Sequence, residues 1–247
     1  MICLAGCATG STNPNPSKVS PPTGSQTGVV RTVRPGDTLR IAGDSAYPTI
    51  YVGNVLWMAR NLEFRTDTID TLSWCPSDSC GKYGRLYSWR AAMRADSTIN
   101  TLCDVYLPSR GICPVGWHLP TSDDWNALAS AVGGMDRLGI LLESRSGWDP
   151  PMDSSAETPT DSVGFQALPS GYRFTGDQGY GTYGHSNPDS AFLGLGTTAA
   201  FWSSTNKAPG TCWSAYALFL SKDEANGSLE MIPRSAGLSV RCVKDSG

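Results

Sequence analysis

Apolar and polar residues alternate over residues 49–58: Ile50 and Val52 lie on one side, Gly53-Asn54 interrupts, and Val55 and Trp57 resume the pattern. Period-two alternation broken by a Gly-Asn pair predicts a β-hairpin. The period changes at Thr121. Trp125, Leu128, Ala129 and Val132 recur at i, i+3, i+4 and i+7, which is one face of an α-helix. Thr121 is its N-cap, Asp124 stands at the capping-box position, and Gly133-Gly134 ends it. A shorter helix is expected after Ser88, through Trp89, Ala92 and Met93. Beyond Gly147 the sequence is rich in Gly, Asp, Ser, Thr and Tyr, with short apolar runs that predict strands at 163–168, 171–174, 200–203, 214–220 and 238–243. In the fourth run Tyr216, Leu218 and Leu220 share a side. Short strands following short helices indicate α+β rather than a doubly wound parallel sheet.

The first 46 residues lack such periodicity. Residues 8–30 are crowded with Pro, Ser, Thr, Asn and Gly and read as a flexible linker. Val33-x-Pro35-Gly36-Asp37-Thr38-Leu39 resembles the opening of a LysM module, but the remainder of such a module does not follow, so an extended lead-in is expected. Leu4-Ala5-Gly6-Cys7 resembles a bacterial lipobox, in which Cys7 would carry lipid. The six residues before Cys7 are uncharged and too few for a signal peptide, which predicts a signal truncated at its front. The expected division is therefore a signal remnant over 1–7, a linker over 8–46 and a folded unit over 47–245.

Composition narrows the function classes. The 247 residues carry a net charge of −3, with 27 Gly and 17 Pro. That length is enough for a sizeable core. The mild acidity gives no support to nucleic acid as a partner, and no run of apolar residues is long enough to span a membrane as a helix. Apart from Cys3 and Cys7 there are six cysteines, an even number that an oxidising compartment would pair. Six cysteines admit roughly 15 pairings. Spacing suggests Cys75 with Cys80 and Cys103 with Cys113, which leaves Cys212 with Cys242. No Cys-x2-Cys knuckle is present, and the chain has 2 histidines, so zinc is disfavoured.

Five segments together resemble one family. They are Val52-Gly-Asn-Val-Leu-Trp-Met-Ala-Arg-Asn-Leu62, Lys82-Tyr-Gly-Arg-Leu-Tyr-Ser-Trp89 and Gly111-Ile-Cys-Pro-Val-Gly-Trp-His-Leu-Pro-Thr121, followed by Phe201-Trp-Ser-Ser204 and Gly237-Leu-Ser-Val-Arg-Cys-Val-Lys-Asp245. In this order the segments resemble the Fibrobacter succinogenes major paralogous domain, a family of exported proteins and lipoproteins. The resemblance implies a C-type lectin-like fold in its formylglycine-generating-enzyme variant. Such a fold has two helices, a twisted antiparallel sheet, adjacent termini and long irregular loops. It also implies that Trp117, Leu119, Trp125 and Trp202 lie in or near the core, with Arg241 in the closing strand. It points to an exported protein, held at the outer membrane or cell surface by its lipid alone.

The chemistry-bearing residues favour binding over catalysis. His118, flanked by Trp117 and Leu119, reads as a structural hydrogen-bonding group. His185 lies in a loop where it could touch a ligand. No Gly-x-Ser-x-Gly or His-Glu-x-x-His motif occurs, and Cys212 and Cys242 are too far apart for the reactive pair of the formylglycine-generating enzyme. Asn187-Pro188-Asp189 resembles half of the sugar-binding loop of C-type lectins. Loop carboxylates such as Asp149, Asp161, Asp177 and Asp189 would suit a structural calcium ion; no other cofactor is indicated. Trp148, Tyr172, Phe174, Tyr180 and Tyr183 alternate with small polar residues, a composition suited to a contact surface. The expected binding residues are Trp148, Tyr172, Tyr180, Tyr183, His185 and Asp189, and the expected partner is a cell-surface glycan or an envelope protein. The alternatives are a structural envelope component without a discrete ligand, or a metal-dependent enzyme.

Overall fold

The computed structural model describes residues 34–35, 38–41, 46–65, 72–76, 80–94, 109–174, 192–206 and 213–246. Three two-residue strands lead in: β1 (Arg34–Pro35), β2 (Leu39–Arg40) and β3 (Ala46–Tyr47). The expected hairpin follows as β4 (Thr49–Val52) and β5 (Val55–Met58), in register from Thr49↔Met58 to Val52↔Val55. Gly53 supplies the turn's positive φ of 63°. Next come β6 (Ser73–Trp74), α1 (Cys80–Tyr83), β7 (Leu86–Ser88), α2 (Trp89–Ala92) and β8 (Trp117–His118). Ser88 caps α2 by accepting from the Ala91 N–H. The long helix α3 spans Ser122–Val132, with the Thr121/Asp124 capping box closed and Gly133 left-handed at its end. A 3-10 turn leads into α4 (Leu138–Leu142). The remaining strands are β9 (Ser170–Arg173), β10 (Phe192–Leu195), β11 (Thr198–Trp202), β12 (Ser214–Ser221), β13 (Gly227–Pro233), β14 (Gly237–Leu238) and β15 (Val243–Lys244).

The class is α+β, as expected, but the described residues hold four α-helical segments rather than two. The extra pair, α1 and α4, are a turn or so long, too short to display a helical period. Strands form a five-stranded sheet in the order β1-β4-β5-β15-β8 and an eight-stranded sheet in the order β13-β12-β11-β9-β14-β7-β6, with β10 on β9. Most pairs are antiparallel; β11 meets β9 in parallel. The lead-in is extended where the sequence suggested it, since β1 pairs with β4. No helix among the described residues is long and apolar enough to cross a membrane.

Both faces of β12 are covered. Leu218 and Leu220 join Trp57, Trp125, Phe165 and Phe201 in one core cluster, while Ala215 and Ala217 join Trp89, Trp117, Leu119 and Trp202 in another. The three tryptophans and the leucine expected in or near the core, Trp117, Trp125, Trp202 and Leu119, are there. Trp57 and Trp125 lie 4.9 Å apart between ring centroids, and Phe165 meets Phe201 edge to face. Such pairs contribute beyond their buried area.

Two expected strands are replaced by something else, and Arg241 is the reason. Residues 163–168 do not form a strand; Ala167 makes a single bridge to Glu143. Positive φ at Gly164 and Gln166 turns this backbone so that the Phe165 and Gln166 carbonyls accept from the Arg241 guanidinium, the latter at 2.8 Å. The run 238–243 is likewise divided. β14 belongs to the larger sheet and β15 to the smaller, and fully buried Arg241 sits between them rather than in the closing strand. Its Nε donates to Asn61 Oδ1 at 2.7 Å, and its guanidinium lies over the Phe165 ring. Burial pulls its pKa down to about 9, so it stays charged at neutral pH. The strand β13 has no counterpart among the strands expected from sequence.

The disulfides also depart from expectation. Cys75–Cys80 forms as expected, but Cys113 is joined to Cys242, not to Cys103. This also overturns the Cys212–Cys242 pair; Cys103 and Cys212 themselves lie outside the described residues. Strand pairing decides the partner. β15 aligns Val243 with His118 and Lys244 with Trp117, and this docking of β15 on β8 carries Cys242 to within reach of Cys113, with Cα atoms 5.8 Å apart. The short loop favoured by spacing loses to sheet register.

Candidate functional site

The turn between β12 and β13 rests on the start of α4. Gly139 N–H and Ile140 N–H both donate to the Ala225 carbonyl, and a Cβ on Gly139 would fall 2.5 Å from the Glu224 carbonyl oxygen. Only a glycine lets the turn come this close. Asp223 holds a positive φ of 67°, a conformation Asp tolerates better than most residues. Its Oδ2 accepts from the Met152 N–H at 3.1 Å and lies 3.5 Å from Lys222 Nζ.

At the other end of α4 the chain leaves the helix extended at Glu143. Backbone bonds from Ala167 N–H to the Leu142 carbonyl and from Ser144 N–H to the Ala167 carbonyl hold it there. The Glu143 side chain faces inward. The residue is 3% exposed, and Oε1 has no hydrogen-bond partner among the described residues. Burial first, then the charges of Asp223 and Glu224, push its carboxyl up to about 8. An uncompensated carboxylate in such a place is costly, and protonation is the ordinary escape.

These elements enclose a cavity of about 160 Å³. Ile140, Trp148, Pro151, Ala156 and Pro159 supply apolar wall, and Asp149, Glu157, Lys222, Asp223 and Glu224 supply charge. Trp148 is fixed by its indole N–H, which donates to the Ala167 carbonyl at 3.2 Å. Asp149 is fixed by its backbone N–H on the Gly196 carbonyl. Glu157 is engaged by Arg137 at 2.9 Å.

Of the residues expected to bind, Trp148 lies in this cavity and Tyr172 does not. Tyr172 projects from β9, half-buried, with its ring edge-on to Phe219 and packed on the cluster around Trp89. Burial raises its hydroxyl pKa, with a smaller contribution from Glu230. Phe174 is half-buried. Tyr180, Tyr183, His185 and Asp189 lie outside the described residues, as do Asp177 and Cys7. Among the described residues no group of three or more His, Cys, Asp or Glu side chains is placed to hold a metal ion.

His118 has the structural role its neighbours suggested. Nδ1 is 2.7 Å from Asp245 Oδ1 and Nε2 is 3.2 Å from Asp124 Oδ2, so the imidazole clasps the start of α3 to the segment after β15. Burial works against its charge, but the two carboxylates prevail and raise its pKa. For Asp124 burial is again opposed and overcome, here by bonds from His118 and Thr121 that lower its pKa.

The model of the Fibrobacter succinogenes major domain family matches residues 50–244. The chain belongs to this family. No curated protein and no solved structure matches it. The site described here therefore falls wholly within the Fibrobacter major domain. Its central residue, Glu143, was missed in the sequence because it follows the apolar run Leu138–Leu142 and reads as an ordinary helix end. Asp223 and Glu224 read as a polar turn. Trp213, 70% exposed beside β12, was also missed, since no periodicity marks a single surface aromatic.

Proposed function

We propose that this Fibrobacter major domain is a non-enzymatic binding module of a cell-envelope lipoprotein, tethered through Cys7 and the polar linker and presenting its loops to a glycan or protein. The observation that carries the reading is Trp148 in the wall of a concave, charged cavity. A domain that only packs against neighbours has no need of one, whereas ligand sites combine apolar walls with a few polar groups. The frame suits display: two disulfides and the buried Arg241 contacts fix the strands around loops that carry the cavity. The disulfides also favour export into an oxidising compartment. A C-type lectin-like arrangement agrees with β15, near the end of the chain, pairing with β5 near the start of the domain.

The test is a glycan array probed with the purified protein, with and without calcium. Reproducible binding of a glycan on the array, or of an envelope protein in a capture experiment, that is lost on Trp148→Ala is the expected result. A blank array together with no captured envelope protein would refute the module in favour of a structural role. For the anchor, Cys7→Ser in a gene carrying a complete signal peptide is expected to abolish palmitate labelling; unchanged labelling would refute it.

A further inference from the structure

The geometry points to the cavity between α4 and the Lys222–Ala225 turn as a receptor for a lysine side chain of a partner protein. The inference rests on the binding-module reading and names the chemistry that the site recognises. Three features converge. The volume of about 160 Å³ admits one side chain; an engineered cavity of roughly 150 Å³ takes a benzene ring. Ile140, Trp148, Pro151 and Pro159 form an apolar sleeve suited to a lysine's methylene stem. Glu143 offers a buried carboxyl whose Oε1 has no partner among the described residues, and Asp223 and Glu224 add negative charge on the turn.

An ammonium group supplies what this arrangement lacks. It donates to the carboxyl, and the indole of Trp148 provides an aromatic wall that favours a cation. The lining also contains Lys222, but its Nζ lies toward Asp223. Glu157 is paired with Arg137, and Asp149 stands exposed at the rim. A sugar ring fits less well, because its hydroxyls need neutral donors and acceptors on several sides and the wall is largely hydrocarbon. Binding transfers the Glu143 proton to solvent and leaves a carboxylate–ammonium pair, so no charge is left unbalanced. Lysine acetylation would remove the cation and the fit.

The full chain, labelled with nitrogen-15, tests this by titration with acetyl-Gly-Lys-Gly-amide, its Nε-acetyl-lysine counterpart, and glucosamine. The Trp148 indole resonance, assigned with Trp148→Phe, is the readout. The lysine peptide is expected to shift it saturably, and calorimetry in buffers of different ionisation enthalpy to show proton release. The acetylated peptide is expected to leave it unmoved. Glu143→Gln should weaken binding at least tenfold and abolish proton release. Glu224→Gln, on the exposed turn where folding is not at stake, should weaken it severalfold. No saturable shift, equal shifts with the acetylated peptide, unchanged affinity in both variants, or saturation by glucosamine but not by the lysine peptide would each overturn the inference. A failed lysine titration beside a positive glycan array removes only the lysine; failure of the array and of envelope capture removes the module itself.

Discussion

Replacing Cys113 and Cys242 together by alanine opens a crosslink between residues 129 apart in sequence, whereas Cys75→Ala with Cys80→Ala opens one between residues 5 apart. Chain entropy makes the first far more costly. A crosslink restricts the unfolded chain in proportion to the logarithm of the loop it closes, which gives about 5 kcal/mol for the long loop and about 2 kcal/mol for the short one. Packing widens the gap, because Cys113 and Cys242 are buried in the core cluster around Trp117 and Leu119. The long-loop variant is therefore expected to lose at least about 3 kcal/mol more than the short-loop variant, a large share of a domain's usual stability. Urea unfolding of both variants beside the parent protein, each fitted with its own slope, measures the difference. Equal losses, or a larger loss from the short loop, would refute the reasoning. Peptide mapping without reduction checks the pairing itself, and a fragment joining Cys212 to Cys242 would overturn it.

Glu143 makes stability depend on pH. Its carboxyl is raised from an ordinary 4.5 to about 8, so its contribution is fully present below 4.5 and is lost as pH rises toward 8. Glu143→Gln is expected to flatten that decline and to be the more stable protein at pH 8 by on the order of 3 kcal/mol; parallel pH profiles from urea melts would contradict this. The His118 clasp has the same sign, with its raised pKa contributing fully below about 6.5 and fading as pH climbs through the folded value. Thermal melts should therefore show His118→Gln most damaging near pH 6 and least near pH 9, and a pH-independent deficit would argue against the ion pairs. Arg241→Met leaves the Asn61 Oδ1, Phe165 and Gln166 acceptors without their donor and should cost about 3–5 kcal/mol. A loss under about 1 kcal/mol in urea melts would show that the acceptors find other partners.

Local signals were legible wherever one element obeys its own period. Thr121, Asp124 and Gly133 specify α3 at both ends without help from the rest of the chain, and Gly53-Asn54 does the same for the hairpin. Residues 163–168 misled because alternation of Val163, Phe165 and Ala167 is also what results when a loop buries every second side chain, and the demand that bends it comes from Arg241, 75 residues further on. Cys113 and Cys242 were mispaired for the same cause: the pairing depends on the register of β15 against β8, which no short window contains. The cavity was half legible. Trp148 stood out by composition, but Glu143 becomes unusual only through its burial and, after that, through Asp223 and Glu224, which are distant in sequence. Tyr172 shows the reverse error, an aromatic in a polar stretch whose ring is held against Phe219.

β15 lies between β5 and β8, and Cys242 beside it is covalently joined to Cys113. Residues 243–244 therefore join β5 to β8 within the smaller sheet, and they are synthesised after both of the strands they join. While the chain is still growing from its amino end, β5 and β8 have no common neighbour, Asn61 has no guanidinium to accept, and Cys113 has no partner thiol. A nascent chain that stops a few residues short of Arg241 is an unfinished structure rather than a trimmed one. Folding of this domain is thus timed by the arrival of residues 241–244, and a stop codon placed just before Arg241 would be expected to leave the domain open to proteases.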